Sequence, residues 1–224
     1  MAHTEGEYND APTYNIKNTT TSMSLNAMNR LDCLKYISFA ILCLAAIPSS
    51  AHAGKTQNYT NQEFGFSIRY PAQWTVNPSS APNARIRVVS PTTTGHAECT
   101  VIVKRYPHAA AAKQSEIDQI FTESPSPAEL KEVLSQADNK IEILKASTGK
   151  LHSRPAHLAR VKYNVGNVLG GQAYAFGSVV MTATPGLTWS LSCNGQGNTS
   201  AEAEQSFQFW EHEINDLIAS FRFK

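Results

Sequence analysis

Phe64-Gly65-Phe66-Ser67-Ile68-Arg69-Tyr70-Pro71, with Trp74 three residues further on, alternates apolar and polar side chains without a break. Phe64, Phe66, Ile68 and Tyr70 fall on one side of an extended chain, and Ser67 and Arg69 on the other. This period of two belongs to a strand with one buried face. Pro71 ends the strand because it cannot donate to a ladder. Trp74 and Val76 are then expected to return an apolar pair to the core.

Upstream, the chain changes character. Arg30 and Lys35 precede an apolar run from Tyr36 to Ile47, and Pro48 leads to Ala51-His52-Ala53. A basic segment, a short apolar stretch and a small-x-small site form the pattern of a secretory signal peptide. The run is too short for the ~20 residues that span a bilayer. Cys43 follows Leu42, where a lipid-attachment site needs a small residue. The expectation is export to the periplasm (or secretion) in a bacterium, with cleavage after Ala53 and no stable membrane anchor thereafter. Residues 28–53 would be the signal peptide, with Met28 as the natural start. Residues 1–27 are read as a spurious extension or a disordered one, since they hold few large apolar side chains.

From Gly54 onward the chain is long enough for one domain with a sizeable core. Of 19 basic and 18 acidic side chains in the whole chain, three and four fall before Gly54. The remainder is weakly basic, and bulk charge gives no reason to expect nucleic acid or a membrane surface.

Strand signals continue at 85–89 and 99–104, after the proline-rich loop 77–83. Residues 109–137 read as helix in two pieces, separated at Pro125; Ser126-Pro-Ala-Glu129 is a capping box with proline at the first helical position. Strands return at 141–144, 158–163 and 173–183. Pro185-Gly186 marks a tight turn into 188–193, which predicts a hairpin. Thr199-Ser-Ala-Glu202 is a second capping box. It opens a helix that places Phe207, Trp210, Ile214, Leu217, Ile218 and Phe221 at helical spacing. Such a helix must lie across a sheet to bury those groups. The order implies an α+β fold with a largely antiparallel sheet and a closing amphipathic helix. The domain, residues 54–224, shows no repeat and no dividing linker.

Cys99 alternates with Val101 and Val103, and Cys193 with Leu191 and Trp189, so both sulfurs can point into one core. In an exported protein the default is a disulfide between them; the alternative is two buried free thiols.

Phe64-Gly-Phe-Ser-Ile-Arg-Tyr-Pro71 with Trp74 resembles the opening of PsbP-like domains and of the related DcrB-type periplasmic proteins. The ending, Ile218-Ala-Ser-Phe-Arg-Phe223, is similar to the close of those domains. The resemblance implies an α/β/α sandwich around an antiparallel sheet, and a role as an assembly factor, adaptor or binding module. Both motifs are packing signatures, so no ligand residues carry over.

Catalytic patterns are sparse. His96-Ala-Glu98-Cys99 has the first half of a zinc-deaminase signature without its Pro-Cys-x-x-Cys half. His108, His152, His157 and His212 are scattered, and no Gly-x-Ser-x-Gly elbow or phosphate-cradling glycine turn occurs. Glu211, Glu213 and Asp216 read as the solvated side of a helix. The expectation is a protein that is not an enzyme and needs no metal or cofactor.

One bias stands out. Taking Phe66, Ile86, Val101 and Val161 as the core side, the outward positions include Arg69, Arg85, Arg87, Lys104, Arg160 and Lys162, and no acid. On one sheet these would form a basic face for an anionic protein partner, unless they serve only to keep an exposed face soluble. A sandwich would cover that face with the 114–137 helices, which leaves little room for six charges. The expected function is an exported, non-enzymatic binding or assembly module. The alternative is a small-molecule or ion-binding protein with a pocket between sheet and helices, near Trp74 and Trp189.

Overall fold

The computed structural model describes residues 54–79, 81, 83–92, 95–135, 141–168 and 171–224. The extension (1–27) and signal peptide (28–53) read from the sequence lie outside the described residues.

The described residues form ten strands, four α-helices and one short 3-10 turn (Pro107–Ala109). β1 (Thr56–Asn61), β2 (Phe66–Pro71) and β10 (Arg222–Phe223) form a small sheet in the order β1-β2-β10. The large sheet contains β3 (Thr75–Val76), β4 (Ala84–Val89), β5 (His96–Arg105), β6 (Ile141–Leu151), β7 (Arg154–Val168), β8 (Gly171–Thr184) and β9 (Leu187–Gly197). Its order is β3-β4-β5-β9-β8-β7-β6 and every pairing is antiparallel. The helices are α1 (Gln114–Ile120), α2 (Pro127–Leu134), α3 (Ser200–Phe209) and α4 (Glu211–Ser220). The architecture is an α+β sandwich built on a large antiparallel sheet.

The alternating stretch forms β2 as its period requires. Phe66, Ile68 and Tyr70 are buried and Arg69 is exposed. Phe66 stacks on Phe221 at 5.6 Å and meets Trp189 edge-on at 5.8 Å. The same core takes Trp74, Ile86, Val101, Leu191, Phe207 and Ile214. A smaller second core, on the other side of the sheet, joins Leu130 to Ile141, Ala159, Val161, Val179 and Met181. β7 and β8 are therefore covered on both sides, and their alternation does not distinguish one core from the other.

Cys99 and Cys193 stand directly opposite each other in the β5–β9 ladder and are joined by a disulfide, with Cα atoms 4.0 Å apart. Their alternation with Val101 and Leu191 is what sends both sulfurs to the same side.

Several local expectations are corrected. Val76 does not return to the core; it sits on a two-residue edge strand, 50% exposed. The strand at 141–144 runs on to Leu151 and returns as β7 through a two-residue turn, where His152 adopts φ 56°. That turn holds neither glycine nor proline, so nothing local announces it. The closing helix is two helices broken at Trp210 (φ −100°, ψ 8°). The break lets the Trp210 indole donate to the Gly95 carbonyl (3.3 Å) and meet Trp74 edge-on. Phe221 lies just past α4, in extended geometry.

Capping follows the sequence closely at α2. Ser126 Oγ accepts from the Glu129 amide, and the Glu129 carboxylate accepts from the Ser126 amide. At α3, Thr199 Oγ1 accepts from the Glu202 amide, but the Glu202 carboxylate reaches back to Asn198 rather than to Thr199. α3 then lies directly on β9. A Cβ at Gly195 would overlap the Phe207 amide nitrogen and the Ala203 carbonyl, so only glycine allows this approach.

Candidate partner-binding face

In an antiparallel ladder, residues directly opposite share a side. The row Arg87–Thr100–Ser192–Val179–Ala159 therefore lies on the side away from α3, as does Glu98–Asn194–Gly177–Val161. On this side α2 packs against β6, and α1 against β7 and β8. Over β4, β5 and β9 the sheet instead presents polar groups. β9 supplies Thr188, Ser190, Ser192, Asn194 and Gln196, and β5 supplies His96, Glu98, Thr100 and Lys104, with apolar Ile102 among them.

These neutral β9 side chains were missed by the sequence reading. The stretch Leu187-Thr-Trp-Ser-Leu-Ser-Cys-Asn-Gly-Gln196 carries them in plain alternation, but only its apolar half was used. A central strand with five hydrogen-bonding side chains on one side is unusual for a face meant to be packed.

The six basic residues do not form one face. Arg69 belongs to the small sheet, opposite Asn58. Arg160 and Lys162 lie on the α3 side, because Arg160 is in row with Ser178 and Cys193. The assumption that Val101 and Val161 point the same way fails, since Val161 belongs to the second core. Arg160 lies over Phe207 (4.4 Å) and pairs with Glu211 at 2.9 Å. Lys162 pairs with Glu142 at 3.0 Å, directly across the β6–β7 ladder.

Arg85, Arg87 and Lys104 remain near β4 and β5. Arg87 is held by Glu98, with Nε 2.8 Å from Oε2. Lys104 Nζ lies over the Tyr106 ring at 5.0 Å. Arg85 lies over Phe64 at 4.2 Å and donates to the Val103 carbonyl at 3.3 Å. Its Nε is buried without a hydrogen-bond partner among the described residues.

His96, Glu98 and Arg87 make a small charged cluster on the polar face. His96 Nε2 stands 3.9 Å from Glu98 Oε2, at charge-contact distance. Burial pushes the Glu98 carboxyl up, but His96 and Arg87 together outweigh it and hold the group below its ordinary 4.5. Tyr163, in row with Ala175 and Gln196 on the same side, is pushed up to about 12 by burial and by the Glu98 charge. Arg87 neutralises Glu98, which makes the cluster a structural ion pair. Cys99, the third member of the sequence pattern, points to the opposite side in its disulfide. Among the described residues no three His, Cys, Asp or Glu side chains converge to hold a metal ion.

The location expected for a pocket is filled. Trp74 packs edge-on against Trp210 at 5.6 Å, and Trp189 against Phe66 and Phe223 at 5.8 and 5.1 Å. An open groove of about 350 Å³ lies elsewhere, at the sheet edge between 76–79 and 84–87.

No protein-family model matches the chain, and no curated protein does. Among solved structures it is similar to the PsbP protein CyanoP of Synechocystis sp. PCC 6803, at 14% identity and TM-score 0.47, over 78% of this chain and 96% of that one. It is also similar to LpqN, involved in cell envelope biogenesis of Mycobacterium tuberculosis, at 13% identity and TM-score 0.45, over 76% and 91%. The Saccharomyces cerevisiae Ran-binding protein Mog1p matches at 12% identity and TM-score 0.43, over 76% and 96%. At these identities and scores the likeness carries no activity with it.

Proposed function

We propose that this chain is an exported, non-enzymatic binding or assembly module of the PsbP/DcrB-like kind, which engages a protein partner through the polar side of β4, β5 and β9. One observation carries this reading. Among the described residues both helices on that side pack over β6, β7 and β8, while β9 carries Thr188, Ser190, Ser192 and Gln196 partly exposed, with Thr100 and Asn194 buried between them. Such groups suit a wet, specific protein contact, where hydrogen bonds are exchanged one for one with water. The disulfide within the central strands fits a periplasmic or secreted location, where such bonds persist.

Site-specific photocrosslinking in cells tests it. The crosslinking residue is placed at Ser190, on the polar side, and separately at Glu204, exposed on α3. A discrete adduct from position 190 and none from 204 is the expected result. The same adducts from both positions, or none from 190, would remove the polar side as the contact.

A further inference from the structure

The groove beside β4 is an incomplete electrostatic arrangement. Its lining includes Val76, Pro78, Ser79, Ile86, Arg85 and Arg87. Arg87 is neutralised by Glu98, whereas Arg85 has no acidic partner within salt-bridge distance among the described residues. Arg85 and Arg105 lie over the same Phe64 ring, at 4.2 and 4.9 Å. Between them they have one carboxylate, Glu63, paired with Arg105 at 2.9 Å. A half-buried guanidinium with one carbonyl contact and an orphaned Nε is costly to keep, because desolvation is not offset by an opposite charge. Guanidinium has a planar fork that suits a carboxylate.

The rest of the groove is apolar or neutral. Val76, one of the lining residues, stands 50% exposed on an edge strand of two residues. Ile86, also in the lining, is buried. A volume near 350 Å³ is at the small end of what holds a ligand, enough for an acidic side chain and an apolar neighbour.

We propose that this groove binds an acidic, partly apolar segment of a protein partner, with a carboxylate of that segment on Arg85 and an adjacent aliphatic side chain against Val76 and Ile86. The proposal rests on the reading above and deepens it, since the groove borders the polar side of the sheet at Arg87.

The test is a titration of the purified, oxidised chain with two capped hexapeptides, one alternating Val and Glu, the other Val and Gln. The Glu peptide is expected to bind at least tenfold more tightly, and 0.5 M salt should erase the difference. Arg85→Gln should abolish the preference, and Arg85→Lys should keep part of it. Val76→Asp should also abolish it, by placing a competing carboxylate in the lining while leaving Arg85 and Phe64 packed. Arg160→Gln, on the far side of the sheet, should change nothing. Equal affinities, binding of neither peptide at millimolar concentration, or a preference surviving both Arg85→Gln and Val76→Asp would overturn the proposal. A discrete adduct from position 190 alongside any of these results would refute the groove alone. Loss of that adduct would instead refute the binding face.

Discussion

Breaking the Cys99–Cys193 bond should remove a large part of the domain's stability through the unfolded state. The two cysteines are 94 residues apart in sequence. Closing a loop of that size lowers unfolded-chain entropy by an amount worth about 4.7 kcal/mol at 25 °C in the chain-entropy treatment. In a domain of this size, each kcal/mol corresponds to about 2–4 °C in Tm, so a fall of roughly 10–20 °C follows. Both side chains are fully buried, which gives a way to separate cross-link from packing. Reduced wild type keeps both sulfurs, whereas a Cys99→Ala, Cys193→Ala double variant also leaves a cavity costing about 1 kcal/mol. Urea denaturation of the oxidised, reduced and double-alanine proteins is the assay. Reduction should lower stability by about 3–5 kcal/mol and raise the m-value, because an unlinked chain exposes more surface on unfolding. A reduced protein within about 1 kcal/mol of the oxidised one, with unchanged m, would refute the loop-entropy account.

Gly195→Ala should destabilise by about 2–4 kcal/mol, since its Cβ meets the backbone of α3 and a helix cannot yield as a side chain tip does; thermal denaturation beside Gly149→Ala, whose added Cβ meets the movable Leu158 side chain rather than backbone and should cost less, checks it. Glu98→Gln should cost about 1–2 kcal/mol at neutral pH by leaving Arg87 without its charge partner. Because the folded Glu98 carboxyl is held below 4.5, its contribution is present above that value and is lost as pH falls through the lower folded value. Wild-type stability should therefore drop more steeply than that of Glu98→Gln on acidification below about pH 5, as read from urea midpoints. Tyr163, pushed up to about 12, stays neutral in the folded state after unfolded tyrosines ionise near 10. Stability should then fall between about pH 10 and 12, and Tyr163→Phe should flatten that fall, as followed by absorbance at 295 nm and by denaturation.

The strands and their buried sides were legible wherever one face of the chain met water. β2 is the clearest case, because polar Ser67 and Arg69 could only be outside if Phe66, Ile68 and Tyr70 were in. The cysteine pairing was legible for the same reason, since Cys99 and Cys193 each shared a side with apolar neighbours. α2 was announced by its capping box, a contact within four residues. The basic face was not legible. Arg160 and Arg87 look alike in sequence, both outward from an apolar neighbour, yet β7 is covered on two sides and β4 on one. Bulges between Ala84 and Ile86 and between Ile143 and Lys145 shift the alternation further.

Local rules thus determined what this sequence settles by itself: which segments extend, which coil into helices, where caps and turns fall, and which side chains leave water. These depend on interactions within a few residues and on a period of two or 3.6. Only the tertiary structure decided which of two cores Val161 joins, that Arg160 stacks on Phe207, and that, among the described residues, Arg85 has no acid beside it and the helices on the Ser190–Ser192–Asn194 side pack over β6, β7 and β8. Those outcomes depend on strand order and on how far α1 and α2 reach across the sheet, distances that no local pattern encodes.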